Sequence, residues 1–157
     1  MKSRLDYARV APGVYDAMDA IDTYLAASSL DARTLHLVRL RASQLNGCAY
    51  CLDMHWKDLR ALGASEQQLY SLDAWRECPY YSERERSALA WTEAVTRIGD
   101  GHAPDELFAD ARRHWSEREL ADLTLAVATI NAWNRLSIAA RLVPGGYQPV
   151  RADAPAG

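Results

Sequence analysis

Residues 47–55 read Gly47-Cys48-Ala49-Tyr50-Cys51-Leu52-Asp53-Met54-His55 and place two cysteines and a histidine within eight residues. The Asn46-Gly47 pair favours the left-handed conformation that ends a helix, so a new helix is predicted to begin directly after it. At about 100° per residue, Cys48 and Cys51 lie roughly 60° apart around this helix, and His55 falls between them. The segment therefore predicts two thiols and an imidazole on one helix face.

This set of side chains favours thiol redox chemistry. Only a thiolate attacks a peroxide or a disulfide, and a free cysteine with a pKa near about 8.5 is mostly protonated at neutral pH. The helix N-terminus favours negative charge on Cys48, whereas His55, four residues after Cys51, can take the Cys51 proton. The two-residue spacer lets the pair close to a disulfide. We expect Cys51 to attack and Cys48 to resolve, although the helix terminus favours the opposite order.

The composition is ordinary for one globular domain. The chain has 157 residues, 49% hydrophobic and 25% charged, which we interpret as a single domain over residues 1–157 with its core in about 10–142 and a loose tail at 145–157. The formal net charge of -3 gives no electrostatic footprint for nucleic acid or anionic lipid. No apolar run reaches the roughly 18 residues of a membrane span, and no signal-peptide core follows Met1, so the cytoplasm is the expected location.

Apolar spacing and helix-boundary residues predict an all-α fold. Capping boxes of the form Ser-x-x-Glu begin at Ser82 and Ser116, and Asp31 is expected to cap the helix that begins at residue 32. The predicted helices cover approximately residues 12–28, 32–46, 48–62, 66–72, 83–98, 105–111 and 120–142.

The last of these helices, residues 120–142, is apolar on nearly all sides, as expected of a core or a subunit interface. A domain of this size can hardly cover both sides of it as well as five tryptophans, so we predict a homo-oligomer that shares its burial. Trp91 and Trp133 are expected in the core or the interface. Tyr50 is expected to line the entrance to the thiol site or to pack against another subunit.

Three segments carry a family signature. They are Leu37-Val38-Arg39-Leu40-Arg41-Ala42-Ser43-Gln44-Leu45-Asn46 with the cysteine segment 47–55, Ala90-Trp91-Thr92-Glu93-Ala94, and Ile130-Asn131-Ala132-Trp133-Asn134-Arg135-Leu136. In a helical setting this set resembles the AhpD-like, or carboxymuconolactone decarboxylase, family, in its single-domain Cys-x-x-Cys-x-x-x-His branch, over roughly residues 10–142. The resemblance implies an all-α fold, an obligate trimer or hexamer, and cysteine-based reduction of hydroperoxides. Electrons would come from an external dithiol, and we expect no bound cofactor and no metal.

The resemblance also implies residue roles. Cys48 and Cys51 would be the redox pair and His55 the base. The family relay usually has a glutamate twelve residues before the first cysteine, but this chain has His36 there. An imidazole can move protons, but it cannot supply the fixed negative charge that raises its neighbour's basicity. Glu93, which interrupts an apolar helix face, is the candidate replacement; the alternatives are a Glu93 that is solvated or in an ion pair at a subunit interface, and a hydrogen-bonded His36 with no catalytic part.

Other functions stay open beside a thiol-dependent peroxidase or disulfide oxidoreductase. The family name suggests lactone decarboxylation, but that branch generally lacks the cysteine pair and relies on a histidine-centred site. A non-enzymatic oligomer whose thiols sense redox state is a third hypothesis, motivated by His36. A structural zinc on Cys48, Cys51 and His55 would lack a fourth ligand.

Overall fold

The computed structural model describes residues 2–149, and all regular secondary structure in that range is helical. The α-helices are α1 (Tyr7–Val10), α2 (Pro12–Ala26), α3 (Ala32–Asn46), α4 (Ala49–Ala61), α5 (Glu66–Tyr70), α6 (Glu83–Thr96), α7 (Asp105–His114) and α8 (Glu117–Ala140), with short 3-10 helices at Leu72–Glu77 and Ile98–Asp100. No strand occurs between residues 2 and 149, so the all-α prediction is confirmed. Over the same residues, no helix has both the length and the apolar character needed to cross a bilayer.

The boundary residues read from the sequence act as helix caps. Asp31 accepts a 2.8 Å hydrogen bond from the backbone N–H of Thr34 at the start of α3. Ser82 and Ser116 form complete capping boxes at α6 and α8, each contact of this kind stabilising a helix start by about 1 kcal/mol. Gly47 takes a φ of 68°, the left-handed conformation that ends α3. These boundaries were predictable because each depends on neighbours along the chain.

Helix α8 is the centre of the fold. It packs against α2, α3, α4, α6 and α7. Its buried Leu123, Ala126 and Val127 join Val38 of α3 in the main hydrophobic core. Truncating Leu123 to alanine would leave a cavity in this core at a cost of about 2–5 kcal/mol. The helix therefore serves as a rigid support for the elements around it.

Five helices of the same chain cover most of α8, so its apolar composition does not require a second subunit. The residues of α8 that stay exposed are Glu117, Arg118, Ala121, Ala128, Arg135, Ile138 and Ala139. The expectation that one chain could not bury this helix is therefore wrong, because α2, α4 and α7 add to the cover from α3 and α6. Homo-oligomerisation, as a trimer or hexamer, stays a prediction.

Several boundaries differ from those predicted. Helix α4 begins at Ala49, because Cys48 has extended backbone angles (φ −85°, ψ 95°) and is the residue that precedes the helix. Helix α6 ends earlier, at Thr96, and α7 continues to His114. The sequence also missed α1 and the 3-10 helix Leu72–Glu77. Two buried apolar side chains hold that 3-10 helix against the core, and local sequence does not reveal such contacts.

The segment that follows α8 is attached to α4. Lys57 Nζ donates to the carbonyl oxygens of Gly145 (3.2 Å) and Tyr147 (3.0 Å), and the Gly145 N–H donates to Asp53 Oδ2 (3.0 Å). The Tyr147 hydroxyl donates to Asp58 Oδ1 at 2.7 Å. The prediction of a loose tail from residue 145 is therefore wrong for residues 145–147, since polar side chains of α4 hold them. Residues 150–157 lie outside the described range.

Candidate active site

The connection between α3 and α4 fixes the two predicted cysteines. After the left-handed Gly47, the Cys48 N–H donates to the carbonyl of Ser43 (3.0 Å), and the Cys48 carbonyl accepts from the Leu52 N–H (2.9 Å). This places Cys48 at the N-cap and Cys51 in the first turn of α4. Both side chains are only 1% exposed and they hydrogen-bond to each other. The structure therefore brings the predicted pair together.

Helix α8 supports the thiols from the opposite side. Cys51 Sγ lies 3.7 Å from Ser137 Oγ, and Asn134 also hydrogen-bonds with the pair. The Asn134 Nδ2 group donates to Ser43 Oγ (3.0 Å), while its Oδ1 accepts from Asn46 Nδ2 (2.8 Å). The fully buried Asn134 thus ties the end of α3 to the thiols, with its polar atoms satisfied.

The two thiols differ in acidity. The hydrogen bond from Cys51 is the largest cause that lowers the pKa of Cys48 to about 6 despite burial, and hydrogen bonds from the Cys51 backbone N–H, Asn134 and Ser137 contribute to the same shift. The hydrogen bond with Cys48 and burial raise the pKa of Cys51 above its usual range. Because one proton is shared between the sulfurs, the negative charge rests on Cys48 at the helix N-terminus. The charge thus lies on the cysteine that the helix terminus was expected to favour, and the hydrogen bond from Cys51 is its largest cause.

His36, His55 and Asp58 form a cluster between α3 and α4. His36 Nδ1 lies 3.2 Å from His55 Nδ1 and 3.3 Å from Asp58 Oδ2, and His55 Nδ1 lies 3.5 Å from the same oxygen. The second Asp58 oxygen accepts the hydroxyl of Tyr147. His36 therefore lies beside His55, where the family glutamate was expected. The Asp58 carboxylate, on α4, lies beside His55 as well.

Burial and hydrogen bonding determine the charges in this cluster. Burial, and then the neighbouring His55, lower the pKa of His36 to about 4, and burial also lowers the pKa of His55. Burial opposes ionisation of Asp58, but hydrogen bonds from His55 and Tyr147 hold its pKa below the usual range. At neutral pH the cluster contains two neutral imidazoles and one carboxylate. The buried His55 Nε2 has no hydrogen-bond partner among residues 2–149 and is available to receive a proton.

Glu93, the carboxylate proposed from the sequence, lies in a different network. Its Oε1 accepts from Arg41 Nη2 (2.6 Å) and Trp75 Nε1 (2.9 Å), and its Oε2 is 2.7 Å from Arg76 Nη1. Burial opposes its ionisation, but the hydrogen bonds from Trp75, Arg76 and Arg41 lower its pKa. The structure therefore does not place Glu93 in the relay, and the ion-paired alternative describes it, within one chain. The negative charge beside His55 comes from Asp58.

A cavity of about 480 Å³ opens onto this site. Cys51, His55, His36 and Asp58 all line it, whereas Cys48 does not. Both cysteines also belong to a small apolar cluster with Ala42 and Ile130. The cavity thus presents one of the two sulfurs together with the histidine cluster. A small molecule in the cavity meets Cys51 before Cys48.

Aromatic side chains form much of the remaining wall. Tyr15, Tyr50 and Trp133 line the cavity, as does Arg39. Arg39 Nη2 and Trp133 Nε1 donate to the two oxygens of Asp22, at 2.7 and 2.8 Å. Trp133, expected in the core or an interface, is therefore a half-buried residue of the cavity wall. Tyr50 lines the cavity, which agrees with the first of its two predicted positions.

Two residues of the site, Asp58 and Tyr147, were not predicted from the sequence. Asp58 follows His55 by three residues, the spacing that places side chains on one helix face, so this signal was present. Tyr147 lies 89 residues from Asp58 in the chain and carries no local signal.

Comparisons with known proteins agree with this architecture. A model of the carboxymuconolactone decarboxylase family matches residues 12–94. The uncharacterized protein YdfG of Bacillus subtilis is 42% identical over 139 residues, which cover 88% of this chain and 95% of YdfG.

Solved structures show the same fold. A protein of unknown function from Agrobacterium tumefaciens, provisionally described as the antioxidant defence protein AhpD, has a TM-score of 0.86 and 42% identity, with 95% of this chain and 99% of that chain covered. An uncharacterized peroxidase-related protein with the alkylhydroperoxidase AhpD core, from Ralstonia eutropha, has a TM-score of 0.77 at 18% identity, covering 87% and 73% of the two chains. At that identity the likeness concerns the fold alone.

Proposed function

Because the chain belongs to the carboxymuconolactone decarboxylase family, we propose that it is a thiol-dependent peroxidase that reduces hydroperoxides through Cys48 and Cys51. Family membership supports a peroxidase-related or decarboxylase-like function. The observation that carries the finer proposal is that Cys51 and His55 line one cavity, with the buried His55 Nε2 unpartnered among residues 2–149 and Cys48 hydrogen-bonded to Cys51.

In the first step Cys51 attacks a hydroperoxide in the cavity. Its sulfur forms a bond to the terminal peroxide oxygen, the O–O bond breaks, and the sulfur is oxidised by two electrons to a sulfenic acid. The Cys51 proton passes to His55 Nε2 and then to the departing alkoxide, which leaves as an alcohol. His55 thus acts first as a base and then as an acid.

In the second step Cys48 resolves the sulfenic acid. Its low pKa keeps it as a thiolate through the first step, so it can attack the Cys51 sulfur at once. An S–S bond forms, the S–O bond breaks, and hydroxide leaves and becomes water by taking a proton. An external dithiol then reduces the disulfide by thiol exchange. In this order the resolving cysteine, Cys48, carries the negative charge before the reaction, and the attacking cysteine, Cys51, is the one that lines the cavity.

Asp58 replaces the missing relay glutamate. A carboxylate within 3.5 Å of His55 Nδ1 stabilises the imidazolium that forms while His55 holds the proton. The Tyr147 hydroxyl holds the Asp58 carboxylate in place. His36 adds a second neutral imidazole, whose Nδ1 lies 3.2 Å from His55 Nδ1 and contributes no charge to the relay. The relay is therefore built from α4 itself rather than from α3.

The two other hypotheses differ from this proposal in what the site must hold. A decarboxylase has to bind a carboxylate substrate, but the cavity cation Arg39 already donates to Asp22. Incubation with 4-carboxymuconolactone, followed by its absorbance, tests that reaction directly, and we expect no loss of substrate. A redox sensor would form the disulfide without catalytic turnover.

The proposal is tested by stopped-flow reaction of the reduced protein with hydrogen peroxide and cumene hydroperoxide, with free thiols counted before and after. We expect the loss of two thiols per chain. Cys51→Ser should react no faster than a free thiol. Cys48→Ser should stop at a sulfenic acid on Cys51, which dimedone traps and mass spectrometry locates.

Cys78→Ser is the matched control, because Cys78 is half-buried in a different apolar cluster and should not change the rate. A reactive Cys51→Ser variant together with an inert Cys48→Ser variant would reverse the assigned order of the cysteines. If the wild-type protein reacts no faster than a free thiol, the peroxidase proposal fails and redox sensing replaces it.

A further inference from the structure

The donor atoms of His36, His55 and Asp58 converge on one point. Their three separations are 3.2, 3.3 and 3.5 Å, and all three residues line the cavity. Zinc bonds to nitrogen and oxygen of about 2.0–2.1 Å place two ligands of a tetrahedron about 3.3–3.4 Å apart. The three atoms therefore have the spacing of three corners of a tetrahedral metal site.

Hydrogen bonding alone satisfies these three atoms poorly. Each Nδ1 carries at most one proton, so at most two of the three contacts can be hydrogen bonds at one time. The two contacts to Asp58 Oδ2, at 3.3 and 3.5 Å, are also longer than the about 2.7–2.9 Å typical of a charge-assisted hydrogen bond. One cation between the three atoms would satisfy all of them together.

We propose that His36, His55 and Asp58 bind a divalent transition-metal ion of the zinc class, with the fourth position facing the cavity. Two imidazoles and one carboxylate are a donor set that proteins use for zinc, with water as the fourth ligand. The Tyr147 hydroxyl, bonded to the other Asp58 oxygen at 2.7 Å, orients that ligand from behind. The cavity supplies both the access route and the room for water.

The histidine at position 36 is what makes this site. With a glutamate there, as in the family pattern, the cluster would hold one imidazole and two carboxylates, which suit harder cations better. This site differs from the zinc site on Cys48, Cys51 and His55 that the sequence suggested as an alternative, and it is contrary to the expectation of no metal. The site proposed here uses neither thiol.

Metal binding and proton transfer exclude each other at His55, a consequence that rests on the proposed function. When Nδ1 binds the ion, the neutral ring carries its proton on Nε2. That nitrogen then has no lone pair to accept the Cys51 proton. Zinc at this site would therefore stop the peroxide reaction without touching either sulfur.

The binding experiment uses the full chain carrying Cys48→Ser and Cys51→Ser, so that the thiols cannot bind the metal. Titration with Co²⁺ should give one ion per chain, with the visible absorption of tetrahedral cobalt and no sulfur-to-cobalt charge-transfer band. Zinc should displace it. Adding His36→Gln or Asp58→Asn should weaken binding at least tenfold, while His36→Glu, which keeps a donor atom but of a harder kind, should weaken binding less than His36→Gln does.

His114→Ala is the control, because His114 lies on α7 and is not part of the cluster. It should leave the affinity unchanged. Circular dichroism establishes that each variant keeps its helical spectrum. The proposal is overturned if the serine background binds no ion at stoichiometric concentration, or if His36→Gln and Asp58→Asn both bind as tightly as that background.

A second experiment separates this proposal from the peroxidase function. With the thiols intact, zinc should inhibit the peroxide reaction, and a chelator should restore it; His36→Gln should need at least tenfold more zinc for the same fractional inhibition. Metal binding by a protein that shows no peroxide reaction would refute the peroxidase and leave the metal site standing. An active protein that binds the ion at this cluster without inhibition would refute the mutual exclusion.

Discussion

Asp58 is a buried carboxylate and Glu93 a partly buried one, and the two have opposite surroundings. Glu93 accepts from two arginines and a tryptophan, so its oxygens face only fixed donors. Asp58 has one oxygen bonded to Tyr147, while the other faces two neutral imidazoles at the cavity wall. The comparison teaches that the partners of a carboxylate, rather than its burial or its place on an apolar helix face, decide whether it can take part in proton transfer.

Of the variants that test the difference between Asp58 and Glu93, Asp58→Asn is expected to have the largest effect. Losing the charge that stabilises the His55 imidazolium should lower the rate of peroxide reduction by about 10²-fold or more, within the range of general acid–base catalysis. Glu93→Gln should change that rate by less than about threefold. Stopped-flow kinetics on the two variants at equal concentration make the measurement, and equal losses of rate would contradict the assignment.

Substitutions of the same two residues should affect the free energy of unfolding in the reverse order, with the larger loss at Glu93. Glu93→Gln leaves Arg41, of which only 8% is exposed, without its charged partner and should cost about 2–4 kcal/mol. Asp58→Asn keeps an acceptor for Tyr147 and should cost about 1 kcal/mol. Urea unfolding followed by tryptophan fluorescence tests this. The control is Asp16→Asn at an exposed position of α2, which should stay within about 0.5 kcal/mol of the wild type.

The neutral donors to the two carboxylates offer a finer test. Tyr147→Phe removes the hydroxyl that holds Asp58 and should lower the peroxide rate about three- to tenfold, the equivalent of one ordinary hydrogen bond. Trp75→Phe removes the matching donor to Glu93 and should reduce stability while leaving the rate unchanged. A rate loss confined to Trp75→Phe would show that the Glu93 network reaches the site.

The smallest effect is expected at Cys48. Its thiolate, followed by ultraviolet absorbance, should titrate near pH 6, and neither Asp58→Asn nor Glu93→Gln should move this midpoint by more than about 0.5. Because the folded-state pKa is depressed, the thiolate stabilises the reduced protein above the unfolded-state pKa, and this contribution is lost as pH falls towards about 6. A large shift in Asp58→Asn would mean that the cluster, rather than the helix terminus, sets the charge.

Much of the fold was predictable from local signals. The caps at Asp31, Ser82 and Ser116 and the left-handed Gly47 each depend on neighbouring residues, and the structure confirms them. The short helix α1 and the 3-10 helix after α5 were not predicted. The latter is held by packing against distant parts of the chain, which no window of sequence contains.

The site residues also fall into a group with a local sequence signal and a group without one. Cys48, Cys51 and His55 share one short segment, so their helical spacing placed them together. Asp58 has the same kind of signal, since it follows His55 by three residues, whereas Glu93 is separated from His55 by 38 residues and lies in a different network. Tyr147 was placed in a loose tail, because the hydrogen bonds that hold its segment join it to residues of α4 about 90 positions earlier.

Helix spacing and capping act over a few residues, so the amino-acid sequence was enough to predict the helical fold and the paired thiols with their histidine. Three features required the folded chain: which cysteine lines the cavity, which carboxylate lies beside His55, and the contact between His36 and His55. Those relations join α3, α4, α8 and the segment after α8. They depend on how helices pack, because that packing decides both the burial and the hydrogen bonds that shift the pKa of each group.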